Sequence, residues 1–228
     1  MIAENLAEIR RRVARAAEQV GRNPEEVRIV AAAKGQGQEM IAEALDAGIR
    51  IIGHNYLQEA FGEKTASVPP GTELHMIGHL QRNKANKAVE LFDVVQTVDD
   101  ERLAVALDRR AADLGRTIGV LIQVSIAGEV QKSGIAPEEV ERLASVIRGL
   151  GALTLKGLMT MPPFFDQPER ARPYFAALRE LRDKLIASGA LDRTMTELSM
   201  GMTGDFEVAV EEGATLVRIG TALFGPRG

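Results

Sequence analysis

Short apolar runs alternate with longer, charged, Ala- and Leu-rich segments along this whole chain. The runs are Val27–Ala33, Ile49–Gly53, Glu73–Gly78, Phe92–Val98, Thr117–Ser125, Leu153–Met159, Thr196–Met200 and Leu216–Ile219. Each has the length of a buried strand, helical periodicity or a turn signal follows each, and most starts lie roughly 20 to 35 residues apart, the rhythm of βα units. Eight such units, with no linker or shift of composition between them, predict a (β/α)8 barrel formed as a single domain over residues 1–228. Met1–Val20 is predicted as an added amphipathic helix, with Ile2, Leu6, Ile9, Val13 and Ala16 or Ala17 on one face and Gly21 as its stop. A doubly wound open sheet is the main rival. Such a fold favours a glycine-rich fingerprint at the first strand–helix junction, which Lys34-Gly35-Gln36-Gly37 does not supply.

Composition removes several classes of function. The chain has no cysteine, so disulfide and thiolate chemistry are excluded, and His54, His75 and His79 show no zinc spacing. A formal net charge of -4 argues against a generally basic nucleic-acid surface but leaves room for a local anion site. No apolar run is long enough to span a membrane and no signal-peptide pattern is seen, so the expected compartment is the cytoplasm.

In a barrel the C-terminal strand ends converge on one mouth, which brings together Lys34, Asn55, His79, Ser125, Met159, Ser199 and Gly220-Thr221. Lys34 closes the first strand with no matching acid within a turn. It is either a solvated strand end or an amine placed to form a Schiff base with an aldehyde. Two turns close together, Ser199-Met200-Gly201-Met202-Thr203 and Arg218-Ile219-Gly220-Thr221, carry small residues and hydroxyls that suit a phosphate. Arg218 either points into the mouth or pairs with an acid such as Glu197. A strand through His75 and His79 would put both on one face, where hydrogen-bonded strand residues are a better reading than a metal pair. Arg82, Lys84 and Lys87 form a basic helix face, solvated or anion-binding. Neither Tyr56 nor Tyr174 is selected by its spacing as a proton donor.

These segments together resemble the pyridoxal phosphate homeostasis proteins (YggS/PROSC-like), whose fold is similar to the N-terminal barrel of alanine racemase. The resemblance rests on Ala33-Lys34, the run from Gly53 to Glu59, the run from His75 to Lys84, Gln123-Val124-Ser125, and Glu129 with Lys132 and Gly134. It continues through Gly157-Leu158-Met159, the run from Leu198 to Thr203 with Asp205, and the run from Val217 to Thr221 with Phe224-Gly225 and Arg227. It implies a PLP fold type III barrel that carries pyridoxal 5'-phosphate as a Schiff base on Lys34. Asn55 is implied near the cofactor ring, Ser199, Gly220 and Thr221 at the phosphate with Met200 beside them, and Arg218 facing the pyridine nitrogen. It also implies a role in vitamin B6 homeostasis without established catalytic turnover, as a monomer, with transient contact to PLP-dependent apo-enzymes and no metal, nucleic acid or membrane partner.

Three positions depart from the family pattern: Ala33 where serine is usual, His54 where glutamate is usual, and Ser125 where asparagine is frequent. None removes a cofactor anchor, although an imidazole at His54 is expected to alter the charge of the pocket. A small PLP enzyme is the alternative, such as a slow amino-acid racemase with Lys34 and either Tyr56 or His54 as bases. With seven residues after Thr221, the second domain that supplies the opposing base in related racemases is expected to be missing. A cofactor-free binding module using the Arg82-Lys84-Lys87 face is the third reading.

Overall fold

The computed structural model describes residues 1–60, 68–128 and 133–226. Glu129, Lys132 and Arg227 of the family pattern therefore lie outside the described residues, as does most of the helix expected to follow Asn55. Eight parallel strands close a barrel in sequence order: β1 (Arg28–Ala32), β2 (Ile51–His54), β3 (Glu73–Met76), β4 (Val94–Val98), β5 (Ile118–Gln123), β6 (Leu153–Met159), β7 (Glu197–Met202) and β8 (Leu216–Ile219). Pairing of β1 with β8, from Arg28 opposite Leu216 to Ala31 opposite Ile219, completes the ring. A closed ring leaves no edge to cover, and this excludes the open-sheet rival.

Two apolar layers form because side chains alternate along each strand. Val30, Ile51, Ile77, Val94, Leu121, Met159 and Leu216 fill the barrel interior, with Ala32 packed against them. Ala31, Ile52, Leu74, Met76, Val95, Leu158 and Leu198 face outward into the layer shared with the helices. The helix α1 (Ile2–Gln19) buries Ile2, Leu6, Ile9, Val13, Ala16 and Ala17, the stripe expected from its periodicity. It packs on α7 (Phe206–Glu211) and α8 (Thr221–Phe224), which belong to the last two units. Arg12 bridges to Glu207 through two hydrogen bonds of 3.1 and 2.6 Å, fixing that contact at its edge.

The strands match the expected runs except at their ends. β3 stops at Met76 rather than Gly78, so His79 sits on the following loop, exposed, and does not share a strand face with His75. β5 stops at Gln123; Val124 makes an isolated bridge to Ile135, donates its N–H to the Met159 carbonyl at 2.8 Å and accepts the Thr160 hydroxyl at 2.9 Å. Asn55 is followed by a short 3-10 turn, Leu57–Ala60. Asp100 caps α4 (Glu101–Asp113) by accepting the Leu103 N–H at 3.0 Å.

Candidate functional site

Strand parity delivers the first site residue. Val30 and Ala32 face the barrel interior while Ala31 and Ala33 join the outer layer, so the next residue, Lys34, turns toward the mouth. Gly35 then takes φ +72, a left-handed conformation that glycine adopts at no steric cost and that lets the chain leave the strand at once. Glu59 clips this turn to its neighbour: Oε1 accepts the Gly35 N–H at 3.2 Å and Oε2 accepts the N–H groups of Asn55 and Tyr56 at 3.1 Å each. The Lys34 ammonium stands 5.3 Å from the centre of the Tyr56 ring. Among the described residues it has no carboxylate partner.

Arg218 reaches the same mouth from β8. It is buried, with Nη1 donating to Ser199 Oγ at 2.7 Å and Nη2 donating to the Thr160 carbonyl at 2.9 Å. Burial pushes the guanidinium down to about 10, and Asp205 pulls it partly back. Asp205 itself is turned toward the backbone, accepting the Met202 N–H at 2.7 Å, and burial raises its pKa. Thr203 Oγ1 accepts the Ala222 N–H at 3.3 Å, which ties the turn after β7 to the start of α8.

These groups border one cavity of about 390 Å³. Lys34, Asn55 and Arg218 supply an amine, a carboxamide and a guanidinium. Thr203, Gly204, Gly220 and Thr221 form one rim, while Ile77, Met161 and Phe165 supply apolar surface. Five of the expected site residues, Lys34, Asn55, Arg218, Gly220 and Thr221, are thus brought together. The other two, Ser199 and Met200, do not line the cavity. Ser199 is buried in the barrel interior beneath Arg218, and Met200 packs in the outer apolar layer. Arg218 does point into the mouth; Glu197 pairs with Arg28 instead.

Several expectations move. His54 is fully buried on the outer side of β2, its ring centre 6.3 Å from that of Phe92 and its Nδ1 3.9 Å from Glu59 Oε2, and it does not line the cavity. Ala33 likewise faces the outer layer. His79, Ser125 and Met159 do not line the cavity. A larger groove of about 690 Å³ lies on the outer helices, where Arg82, Arg102, Arg109 and Arg110 alternate with Glu101 and Asp113. Its charge is mixed, and Lys87 and Arg110 both bind Glu90. The sequence reading missed Glu59 as a clip and Gln96 and Thr160 as partners inside the barrel. Glu59 carried a usable signal, an acid four residues after Asn55, the expected helix cap.

A parallel eight-stranded barrel with an added N-terminal helix, a lysine after β1 and an arginine on β8 defines a class, and residues 5–228 match the family described as alanine racemase, N-terminal domain. Within that class, the chain is 41% identical over 227 residues to a pyridoxal phosphate homeostasis protein of Pseudomonas aeruginosa, covering 99% of this chain and 96% of the relative. It is 38% identical over 224 residues to the corresponding protein of Aquifex aeolicus, covering 98% and 97%. A solved structure of PipY from Synechococcus elongatus with PLP bound superposes with a TM-score of 0.83 at 35% identity, covering 99% of this chain and all of the other. The chain belongs to the pyridoxal phosphate homeostasis (YggS/PROSC-like) family.

Proposed function

We propose that this protein holds pyridoxal 5'-phosphate in the barrel mouth as a Schiff base on Lys34 and takes part in intracellular PLP homeostasis. The observation that carries the reading is the pairing of a lysine amine, without a carboxylate partner among the described residues, with a buried guanidinium across one small cavity. The family relationship supports it.

The donor set fits the group. An aldehyde carbon needs an amine, which Lys34 offers; condensation forms the carbon–nitrogen bond and releases water. A phosphate needs donors, which Thr203, Gly204, Gly220 and Thr221 offer along one rim; Asp205, which also borders the cavity, spends one oxygen on the Met202 N–H. An aromatic ring needs flat apolar contact, available at Ile77, Met161 and Phe165. When bound, the cofactor supplies an electrophilic carbon and an electron-withdrawing ring.

The residues set how strongly that ring acts. Even with its pKa pushed down to about 10, Arg218 keeps its proton at pH 7. Facing a pyridine nitrogen, it would offer a hydrogen bond and no proton, which would keep a bound ring a weaker electron sink. That suits holding and releasing the aldehyde better than rapid carbanion chemistry. Tyr56, itself exposed, turns its ring face toward the Lys34 amine.

The test is the visible spectrum of the purified protein with added cofactor, then borohydride reduction and mass mapping. A Schiff-base band with the pyridoxyl label on Lys34 is expected. No band at saturating cofactor, or a label elsewhere that survives Lys34→Ala, overturns the reading.

A further inference from the structure

A single hydrogen-bonded line crosses the barrel interior from the base to the mouth. Arg218 Nη1 donates to Ser199 Oγ at 2.7 Å, and Ser199 Oγ donates to Gln96 Oε1 at 2.5 Å. Gln96 Nε2 meets His75 Nδ1 at 2.7 Å, and His75 Nε2 meets Glu73 Oε2 at 2.8 Å. His75, Gln96, Ser199 and Arg218 are buried, and they come from β3, β4, β7 and β8.

The two end groups dictate the direction of every bond between them. A guanidinium only donates, so Ser199 Oγ must accept from it and send its own proton to Gln96. A carboxylate only accepts, so His75 must carry its proton on Nε2, leaving Nδ1 bare for the Gln96 amide. Glu73 is ionised, held down to about 2 chiefly by its hydrogen bond from His75. His75 is pushed down by burial, against the upward pull of Glu73. The neutral ring with Nε2–H is therefore the form that fits.

We propose that Glu73, His75, Gln96 and Ser199 are positioning residues for Arg218, a one-directional relay that fixes the guanidinium in the mouth and releases it when His75 is protonated. A proton on Nδ1 faces the Gln96 amide N–H groups, and only reversal of that amide relieves the clash. Reversal takes away the oxygen that receives the Ser199 proton, and the orientation of the hydroxyl under Arg218 is lost. The charged groups around His75 are Glu73 on its own strand, Lys156 on β6 and Arg28 on β1. Arg28 is engaged by Glu197, so Glu73 is the one carboxylate bonded to the ring. The consequence for pyridoxal 5'-phosphate rests on the reading of the mouth given above; the relay itself does not.

The first experiment uses the full chain without cofactor, labelled with 15N-histidine and assigned with His75→Asn. His75 is expected to stay neutral with its proton on Nε2 through neutral pH, titrating below 6.5. Ser199→Ala frees the Gln96 amide to turn, and loss of about one net hydrogen bond raises the His75 midpoint by about half a unit to one unit. A proton on Nδ1, or an unchanged midpoint in Ser199→Ala, overturns the relay. Should that variant fold poorly, Glu73→Gln keeps an acceptor and removes the charge. Its His75 midpoint is expected below that of the parent, and its retention of pyridoxal 5'-phosphate is expected to persist to lower pH than that of the parent. No change in either overturns the proposal. If the parent protein retains no cofactor at all, the reading of the mouth fails, while the histidine midpoints still decide the relay.

Discussion

Gly78 lies directly beneath the turn that presents Asn55, and replacing it with alanine should move that turn. A Cβ at Gly78 would stand 2.2 Å from the Asn55 carbonyl oxygen and 2.8 Å from its Cα. Gly78 is not among the glycines of positive φ, so what the site demands is space and not an unusual dihedral. Restoring an ordinary separation of 3.4 Å needs a shift of about 1.2 Å, the difference from 2.2 Å. Gly78 cannot recoil freely, because its carbonyl accepts the Thr97 hydroxyl at 2.7 Å. On the other side, Asn55 and Tyr56 hang on Glu59 through contacts of 3.1 Å, which such a shift stretches past hydrogen-bond length. Overpacking costs about 1–3 kcal/mol, and a lost hydrogen bond to a charged acceptor adds about 1.5, so Gly78→Ala should destabilise by about 2.5–4.5 kcal/mol. For a domain of this size that is a fall in Tm of roughly 5–18 °C. Urea unfolding measures it, with Gly151→Ala as the control, since nothing lies within 4 Å of a Cβ there. The same variant should bind pyridoxal 5'-phosphate more weakly, because Asn55 borders the cavity. A stability within about 0.5 kcal/mol of the parent, where inert surface changes fall, would refute the steric argument.

Lys34→Ala should fold with unchanged far-ultraviolet dichroism and lose the Schiff-base band, because the half-buried lysine sits at the mouth and outside both apolar layers; collapse of the dichroism would contradict this. Thr221→Ala should weaken retention of pyridoxal 5'-phosphate more than that of pyridoxal, since its hydroxyl is on the rim, whereas Ser199→Ala should weaken both alike because its hydroxyl holds Arg218. Equilibrium dialysis with the two ligands separates these outcomes, and identical ratios for the two variants would count against the assignment. Acid should destabilise the protein in two stages. His75 has a folded pKa below 6.5, so its contribution is present above 6.5 and fades as the pH falls below it. Glu73, lowered from 4.5 to about 2, contributes fully above 4.5 and loses that contribution between 4.5 and 2. Its shift, discounted for partial exposure, corresponds to about 1–2 kcal/mol; urea midpoints from about pH 7 to pH 3 should decline, and a flat profile would exclude the linkage.

The strands were legible because each repeats the same physical demand, an apolar run buried on both faces between polar helices. Lys34 was legible for a related reason: parity along β1 leaves the residue after Ala33 facing the mouth. The ends of β3 and β5 were not, since Ile77-Gly78 and Val124-Ser125 stay apolar or small after the ladder stops. Ser199 and Met200 show what turn chemistry alone conceals. Small residues and hydroxyls signal a phosphate-type turn, but strand alternation sends Ser199 inward beneath Arg218 and Met200 outward among the helices.

The relay lay furthest from sequence reading, because its members meet only when the stagger of the closed barrel sets Gln96 beside both His75 and Ser199. Its parts look unrelated in one dimension: a glutamate and a histidine two residues apart, a glutamine in an apolar run, a serine before a glycine turn. Together they answer a cost that the arginine creates. A guanidinium buried in the mouth makes no ion pair among the described residues, and Asp205 acts on it only through space. An apolar interior would leave that charge without support, whereas a line of aligned dipoles ending on an ionised Glu73 spreads the compensation across the barrel. The same alignment makes the arrangement brittle, since one added proton at His75 reverses the polarity demanded of the Gln96 amide and takes away the acceptor of the Ser199 hydroxyl.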